Sequence, residues 1–176
     1  LSGAAADVIS KYIQENKRIR LQITESSAEN LMSLLRQEKL DMAIVDSTSR
    51  DPSFHFRILC KRNFYIALPA THPLAEKDDI LPEELEEYIE IIPGDDEEMR
   101  RENSFADIGV YSGVQTKKIY LYGRGSQGDI ISNVHGTYMW VSNMPQNVLD
   151  AANLTLKKCT KQNRVARDVL VHRKGR

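Results

Sequence analysis

Ser27-Ala28-Glu29-Asn30-Leu31-Met32-Ser33-Leu34-Leu35-Arg36-Gln37-Glu38-Lys39 runs directly into Leu40-Asp41-Met42-Ala43-Ile44-Val45. Leu31, Leu34 and Leu35 fall on one helical face and Arg36, Glu38 and Lys39 turn toward water, so the first part predicts an amphipathic helix. A hydroxyl in Glu25-Ser26-Ser27 can cap it by accepting a first-turn N–H. Met42-Ala43-Ile44-Val45 is a short continuous apolar run, the pattern of a strand covered on both faces. Upstream, Val8, Ile9, Tyr12 and Ile13 repeat at helical spacing and predict a helix over residues 4–15. Ile19, Leu21 and Ile23 alternate with Arg20, Gln22 and Thr24, which predicts a half-buried strand. The order helix, strand, helix, strand argues for a parallel α/β sheet.

Downstream, Phe54 to Leu59 and Phe64 to Leu68 read as strands, the second more buried. Pro82-Glu83-Glu84-Leu85 reads as the first turn of a short helix, with proline early and acids near the positive end of the dipole. Tyr88 to Ile92 is a strand stopped by Pro93-Gly94, and Lys117 to Tyr122 alternates as another. Gly123-Arg124-Gly125-Ser126-Gln127-Gly128 opens a helix holding Ile130, Ile131 and Val134, which Gly136 ends. Tyr138 to Val141, Leu154 to Leu156 and Val169 to Val171 are further strands, with a short helix ending near Ala152. Asp95 to Gly113 has no clear period.

The 176 residues suffice for one domain or two small lobes. A hydrophobic content of 41% and a charged content of 28% are ordinary for a globular protein. The net charge of -1 gives no field that would draw these residues to nucleic acid. Cys60 and Cys159 lie in apolar stretches without metal-ligand spacing, and are expected to be free, buried thiols. No apolar run reaches the ~18 residues of a membrane helix. Leu1 to Ala6 lacks the basic start and long apolar core of a signal peptide.

Several of these segments resemble the effector-binding domain of LysR-type transcriptional regulators. Leu31 to Val45 is similar to that family's helix ending in a Leu-Asp-x-Ala-Ile strand. His72-Pro73-Leu74-Ala75 matches its turn after the first crossing strand, Leu81 to Leu85 its following short helix, and Ile130 to Pro145 its helix, glycine, strand, proline block. The resemblance implies an α/β, two-lobed, type 2 periplasmic-binding-protein-like fold: mixed sheets flanked by helices, with two crossing strands as hinge. Lobe I would comprise residues 1–65 and 165–176, and lobe II residues 66–164. The family's winged helix, its first strand and its closing helix have no counterpart here. Gly136-Thr137-Tyr138 replaces its commoner Gly-x-Gly.

The resemblance further implies an effector-sensing domain rather than an enzyme, in a cytoplasmic regulator. It would bind a small anionic ligand in the cleft and alter DNA binding by the full-length oligomer. DNA would be contacted only through an N-terminal domain, and the oligomer would be a homodimer or homotetramer using the helix at residues 4–15. A solute-binding protein of a transporter shares the architecture and is the alternative. Ligand positions carried over from the family are Ser2 and Gly3, Ser26 and Ser27, Pro93 and Gly94, and Gly125, Ser126 and Gln127. Helix starts suit anions because unpaired N–H groups and the dipole point outward. Ser27 and Ser126 can equally be plain helix caps. No catalytic residue, metal ligand or cofactor is expected. His72 sits in a turn with no nucleophile or acid placed for it. Asp95 to Glu98 lack the spacing of a calcium loop. The G-x-G-x-x-G of Gly123 to Gly128 has no acidic partner ~20 residues on. Arg124 is the one cation near the expected cleft.

Overall fold

The computed structural model describes residues 3–45, 51–94, 116–122, 127–142, 144–161 and 165–175. Helix α1 spans Gly3–Glu15 and α2 spans Ala28–Arg36. Strands β1 (Met42–Val45), β2 (Phe54–Asn63) and β3 (Tyr65–Pro69) follow. A 3₁₀ turn at Pro82–Leu85 precedes β4 (Ile89–Gly94) and β5 (Lys117–Tyr122). Then come α3 (Gln127–Asn133), β6 (Thr137–Val141), α4 (Gln146–Ala151), β7 (Leu154–Lys157) and β8 (Val165–Arg173).

Two sheets result. The first has order β1-β8-β2, with both pairings antiparallel. The second has order β5-β4-β6-β3-β7 and mixes directions: β4 is parallel to β5 and β6, and β3 is antiparallel to β6 and β7. The expected parallel sheet is therefore corrected to a mixed arrangement. The alternation of helix and strand is real, but β1 finds its ladder partner in the last strand of the chain, which no local pattern announces.

Each sheet has its own core. Leu31, Met32 and Leu35 of α2 pack on Ala43, Val45, Phe54, Val169 and Val171 of the first sheet. On the second, Ile66, Leu68, Leu74, Ile80, Leu85 and Tyr138 gather on one face, and Ala67, Ile91, Ile131, Met139 and Leu149 on the other. Burying one such aliphatic side chain stabilises by ~1.5–3 kcal/mol, so these clusters dominate local stability. The strand predicted at Ile19–Ile23 does not form. These residues have no regular structure, and Ile19, Leu21 and Ile23 are exposed. A strand exists only with a neighbour to complete its backbone hydrogen bonds, and alternation alone supplies none. Val8, Tyr12 and Ile13 of α1 are exposed as well.

The C-terminus of α2 is closed by an unusual residue. Lys39 N–H donates to Leu34 C=O (2.9 Å) and Glu38 N–H to Leu35 C=O (3.2 Å), the paired bonds of a Schellman ending. Glu38 therefore holds φ of 62°, a conformation that favours glycine. Arg173 of β8 donates to Leu35 C=O (3.1 Å) and pairs with Glu38 (3.5 Å), placing a cation at the negative end of the helix. We expect Glu38→Gly to raise stability by up to ~1 kcal/mol in urea unfolding, less the weak ion pair. Leu35→Ala, at a fully buried position, should cost ~2–5 kcal/mol in the same experiment.

Candidate effector site

Ser27 is the N-cap of α2. Its backbone is extended (φ -60°, ψ 154°) and its Oγ accepts the Asn30 N–H at 3.2 Å. Ser26 Oγ accepts from Asn30 Nδ2 at 2.7 Å, and Leu31 N–H donates to Ser27 C=O at 2.9 Å. Both hydroxyl oxygens are thus held as local acceptors. Glu29 lies in the same first turn, so the helix start offers hydrogen-bond donors together with a carboxylate.

Gly94 ends β4 and lies level with Tyr122, which ends β5, because the two strands are parallel and in register from Ile89↔Lys117 onward. Pro93 and Gly94 therefore lie at the same end of the sheet as Leu121 and Tyr122, their partners in β5. In open α/β sheets the carboxyl ends of parallel strands are where ligands bind. Gly3 is the first residue of α1. Ser2, Gly125, Ser126 and Arg124 lie outside the described residues, as do Asp95 to Glu98. Pro93 and Gly94 thus lie at the carboxyl end of β4 in the five-stranded sheet, and Gln127 is the first residue of α3. Ser26 and Ser27 belong to the helix on the three-stranded sheet.

The chain passes between the sheets at Asn63–Tyr65 and again ahead of Val165. A charge pair missed by the sequence reading sits beside these passages. Arg62 on β2 grips Asp168 on β8 with both terminal nitrogens, NH2 at 2.7 Å from Oδ1 and NH1 on Oδ2. The bond to Arg62 holds the Asp168 carboxyl below its ordinary pKa, and Asp168 raises that of Arg62. Arg62 NH1 also lies 3.3 Å from Cys60 Sγ, whose thiol is 3.3 Å from Asp168 Oδ2. Cys60 is exposed, which corrects the expectation of a buried thiol; Cys159 is buried. The ladder slips one residue between Ile58 and Cys60, which moves the thiol onto the open face beside Asp168. A separation of 106 in sequence between Arg62 and Asp168 left no signal for the pair.

Two further polar groups lie in the five-stranded half. His72, expected in a turn, is 5% exposed and packs on Tyr88 with ring centroids 4.4 Å apart. Its Nδ1 accepts the Leu74 N–H at 3.1 Å, so the proton sits on Nε2. Burial, with a smaller push from His135, holds the imidazole below its ordinary pKa. Glu90 of β4 accepts from the Thr116 hydroxyl (3.2 Å), which also bonds the buried Tyr138 hydroxyl. Burial raises the Glu90 pKa against the pull of Lys118 and Thr116. Burial, with the Glu90 charge behind it, raises that of Tyr138. A glutamate inside Ile89-Glu90-Ile91-Ile92 was the legible signal for this cluster. Among the described residues no three His, Cys, Asp or Glu side chains cluster to hold a metal ion, and no helix is long and apolar enough to cross a membrane.

The family model of the LysR substrate binding domain matches residues 2–109. The chain belongs to that family. The LysR domain described here superposes on the effector binding domain of QuiR in complex with shikimate with a TM-score of 0.78 and 19% identity, covering 99% of this chain and 83% of that one. The Synechocystis PCC6803 CcmR regulatory domain in complex with 2-PG gives 0.75 at 16% identity, covering 98% and 82%. The reduced regulatory domain of OxyR2 from Vibrio vulnificus gives 0.76 at 17%, covering 98% and 81%. No curated protein sequence matches the chain. The fold is thus the mixed α/β, two-sheet, type 2 periplasmic-binding-like fold of LysR effector-binding domains, which are transcriptional regulator sensing modules.

The buried ionisable groups give opposite pH signatures. A lowered folded pKa for His72 means its contribution is present at neutral pH and lost as pH falls below its ordinary value of 6.5. Urea midpoints should drop from pH 7 to pH 5, and His72→Gln should flatten that slope. A raised folded pKa for Glu90 means the neutral acid is favoured, so its contribution is lost as pH rises through the folded pKa. Glu90→Gln should stabilise at pH 7 and be without effect at pH 4.

Proposed function

We propose that this LysR domain is the effector sensor of a cytoplasmic transcriptional regulator, not an enzyme, and that its ligand is a small anion. The observation that carries this reading is the family match over residues 2–109, joined to the placement of the expected ligand positions. Ser26 and Ser27 stand just before the helix on one sheet, Pro93 and Gly94 end a strand of the other, and Gln127 begins α3. On this reading lobe I comprises residues 1–65 and 165–176, lobe II comprises 66–164, and the ligand lies between them. Gly3 of α1, and Ser2, Gly125 and Ser126, complete the set. The donors would be hydroxyls and helix-start N–H groups, which suit a carboxylate or phosphate. Solved neighbours held with shikimate and 2-PG support an acidic small molecule as the class.

The mechanism is population shift. The ligand binds one lobe arrangement better than another and biases the equilibrium by that difference alone. β2 and β8 are the strands that join the lobes, so their pairing is where the change is absorbed. The regulator acts on DNA through a separate domain, consistent with the net charge of -1 here. The exposed Val8, Tyr12 and Ile13 of α1 supply an apolar stripe for a homodimer or homotetramer.

A thermal-shift screen with shikimate, aliphatic and aromatic carboxylates and phosphorylated small acids tests the ligand class. A hit raises the melting temperature by mass action. Ser27→Leu and Ser126→Leu should each remove that shift while far-UV circular dichroism stays native; unchanged affinity would sink the cleft assignment. Tyr12→Asp should reduce the sedimentation coefficient if α1 pairs the subunits, and an unaltered value would place the interface elsewhere.

A further inference from the structure

We propose that the open face of the three-stranded sheet carries a soft metal-ion site, built from Met42, His172 and His55 and matched to monovalent copper. Met42 lies directly opposite His172 in the β1–β8 ladder, and His55 lies directly opposite His172 in the β2–β8 ladder. Opposed residues of antiparallel strands project from the same face with Cβ atoms ~5 Å apart, so the three side chains form one row across the sheet. Ala43 and Val171, one residue away, are buried under α2. Alternation therefore turns the row to the other face, where Met42 is 61% exposed and His55 is exposed.

The rings are already at chelating distance. Their centroids are 5.2 Å apart and their planes differ by 31°. Two imidazoles on one tetrahedral ion, with metal–nitrogen bonds of about 2.1 Å, have centroids ~5 Å apart. His172 is also set in the binding tautomer. Its Nδ1 lies 2.9 Å from the Arg173 carbonyl oxygen, which can only accept, so Nδ1 carries the proton and Nε2 presents the lone pair. A ring N–H fixed on a backbone carbonyl is the usual support of a metal-bound histidine.

The donor set decides the ion. Imidazole accepts several transition metals, but a thioether third ligand selects Cu(I). Arg57 flanks the row from the next rung, opposite Leu170, and its charge disfavours a divalent ion more than a monovalent one. No carboxylate belongs to the row or to that flanking rung, so a hard cation gains nothing there.

The test is anaerobic competition for Cu(I) against bicinchoninate, using the whole 176-residue chain carrying Cys60→Ser so that the exposed thiol does not compete. One equivalent per chain should be withdrawn from the indicator. His172→Asn and His55→Asn should each weaken Cu(I) binding at least ~10-fold, with far-UV circular dichroism unchanged. Met42→Leu should weaken Cu(I) binding and leave Zn(II) binding as it was. Absence of competition, full affinity in any of the three variants, or Zn(II) bound more tightly than Cu(I) would overturn the proposal.

Discussion

The antiparallel pairing of β8 with β2 is the interaction on which the rest of the molecule depends. β8 is the last strand of the chain, yet it lies at the centre of the first sheet, between β1 and β2. Without it β1 and β2 have no ladder, and the face on which α2 packs does not exist. The same pairing brings the exit from the first sheet, after Asn63, alongside the return into it, before Val165. Asn63 and Val165 are in fact ladder partners, so β2 ends where β8 begins beside it. A two-stranded ribbon twists easily about its axis but resists being pulled apart. The Arg62–Asp168 pair is added next to this point, and a bidentate carboxylate–guanidinium contact fixes orientation as well as distance.

Much of this was legible because local periodicity and burial agree. α2, β1, β3, β4, β5 and β6 stand within a few residues of where apolar spacing puts them, and Ser27 caps α2 through the hydroxyl that the turn offered. Failures share one cause: a partner distant in sequence. Ile19 to Ile23 has a strand's alternation but no strand beside it among the described residues. β2 and β8 run to Asn63 and from Val165, longer than their apolar runs, because each extends the other's ladder past polar side chains such as Arg62 and Asp168. Cys60 looked interior because Ile58 and Leu59 precede it, until a one-residue slip in register set it on the open face. His72 stands in the turn that His-Pro marks, and its ring is buried against Tyr88. Of the expected ligand positions, Ser26 and Ser27 were readable as residues of the cap, whereas the placing of Gly94 level with Tyr122 follows only from the parallel register of β4 and β5.

The division of the core constrains how a ligand could act in the proposed sensor. The apolar clusters are private to each sheet, and the clusters of the second sheet draw on no residue of the first. Moving one half against the other therefore divides none of these clusters among the described residues. A ligand that contacts both halves then needs a difference in affinity of only a few kcal/mol to set their arrangement. The same separation restricts the donors that serve a small anion. Glu29 occupies the first turn of α2, so the favourable field of the helix start is opposed by a carboxylate, and Arg62 is already committed to Asp168. In the proposed sensor, recognition at Ser26 and Ser27 would fall to hydroxyls and backbone N–H groups. Such donors reward the shape of an anion more than its charge, which is the property a sensor needs to tell one small acid from another.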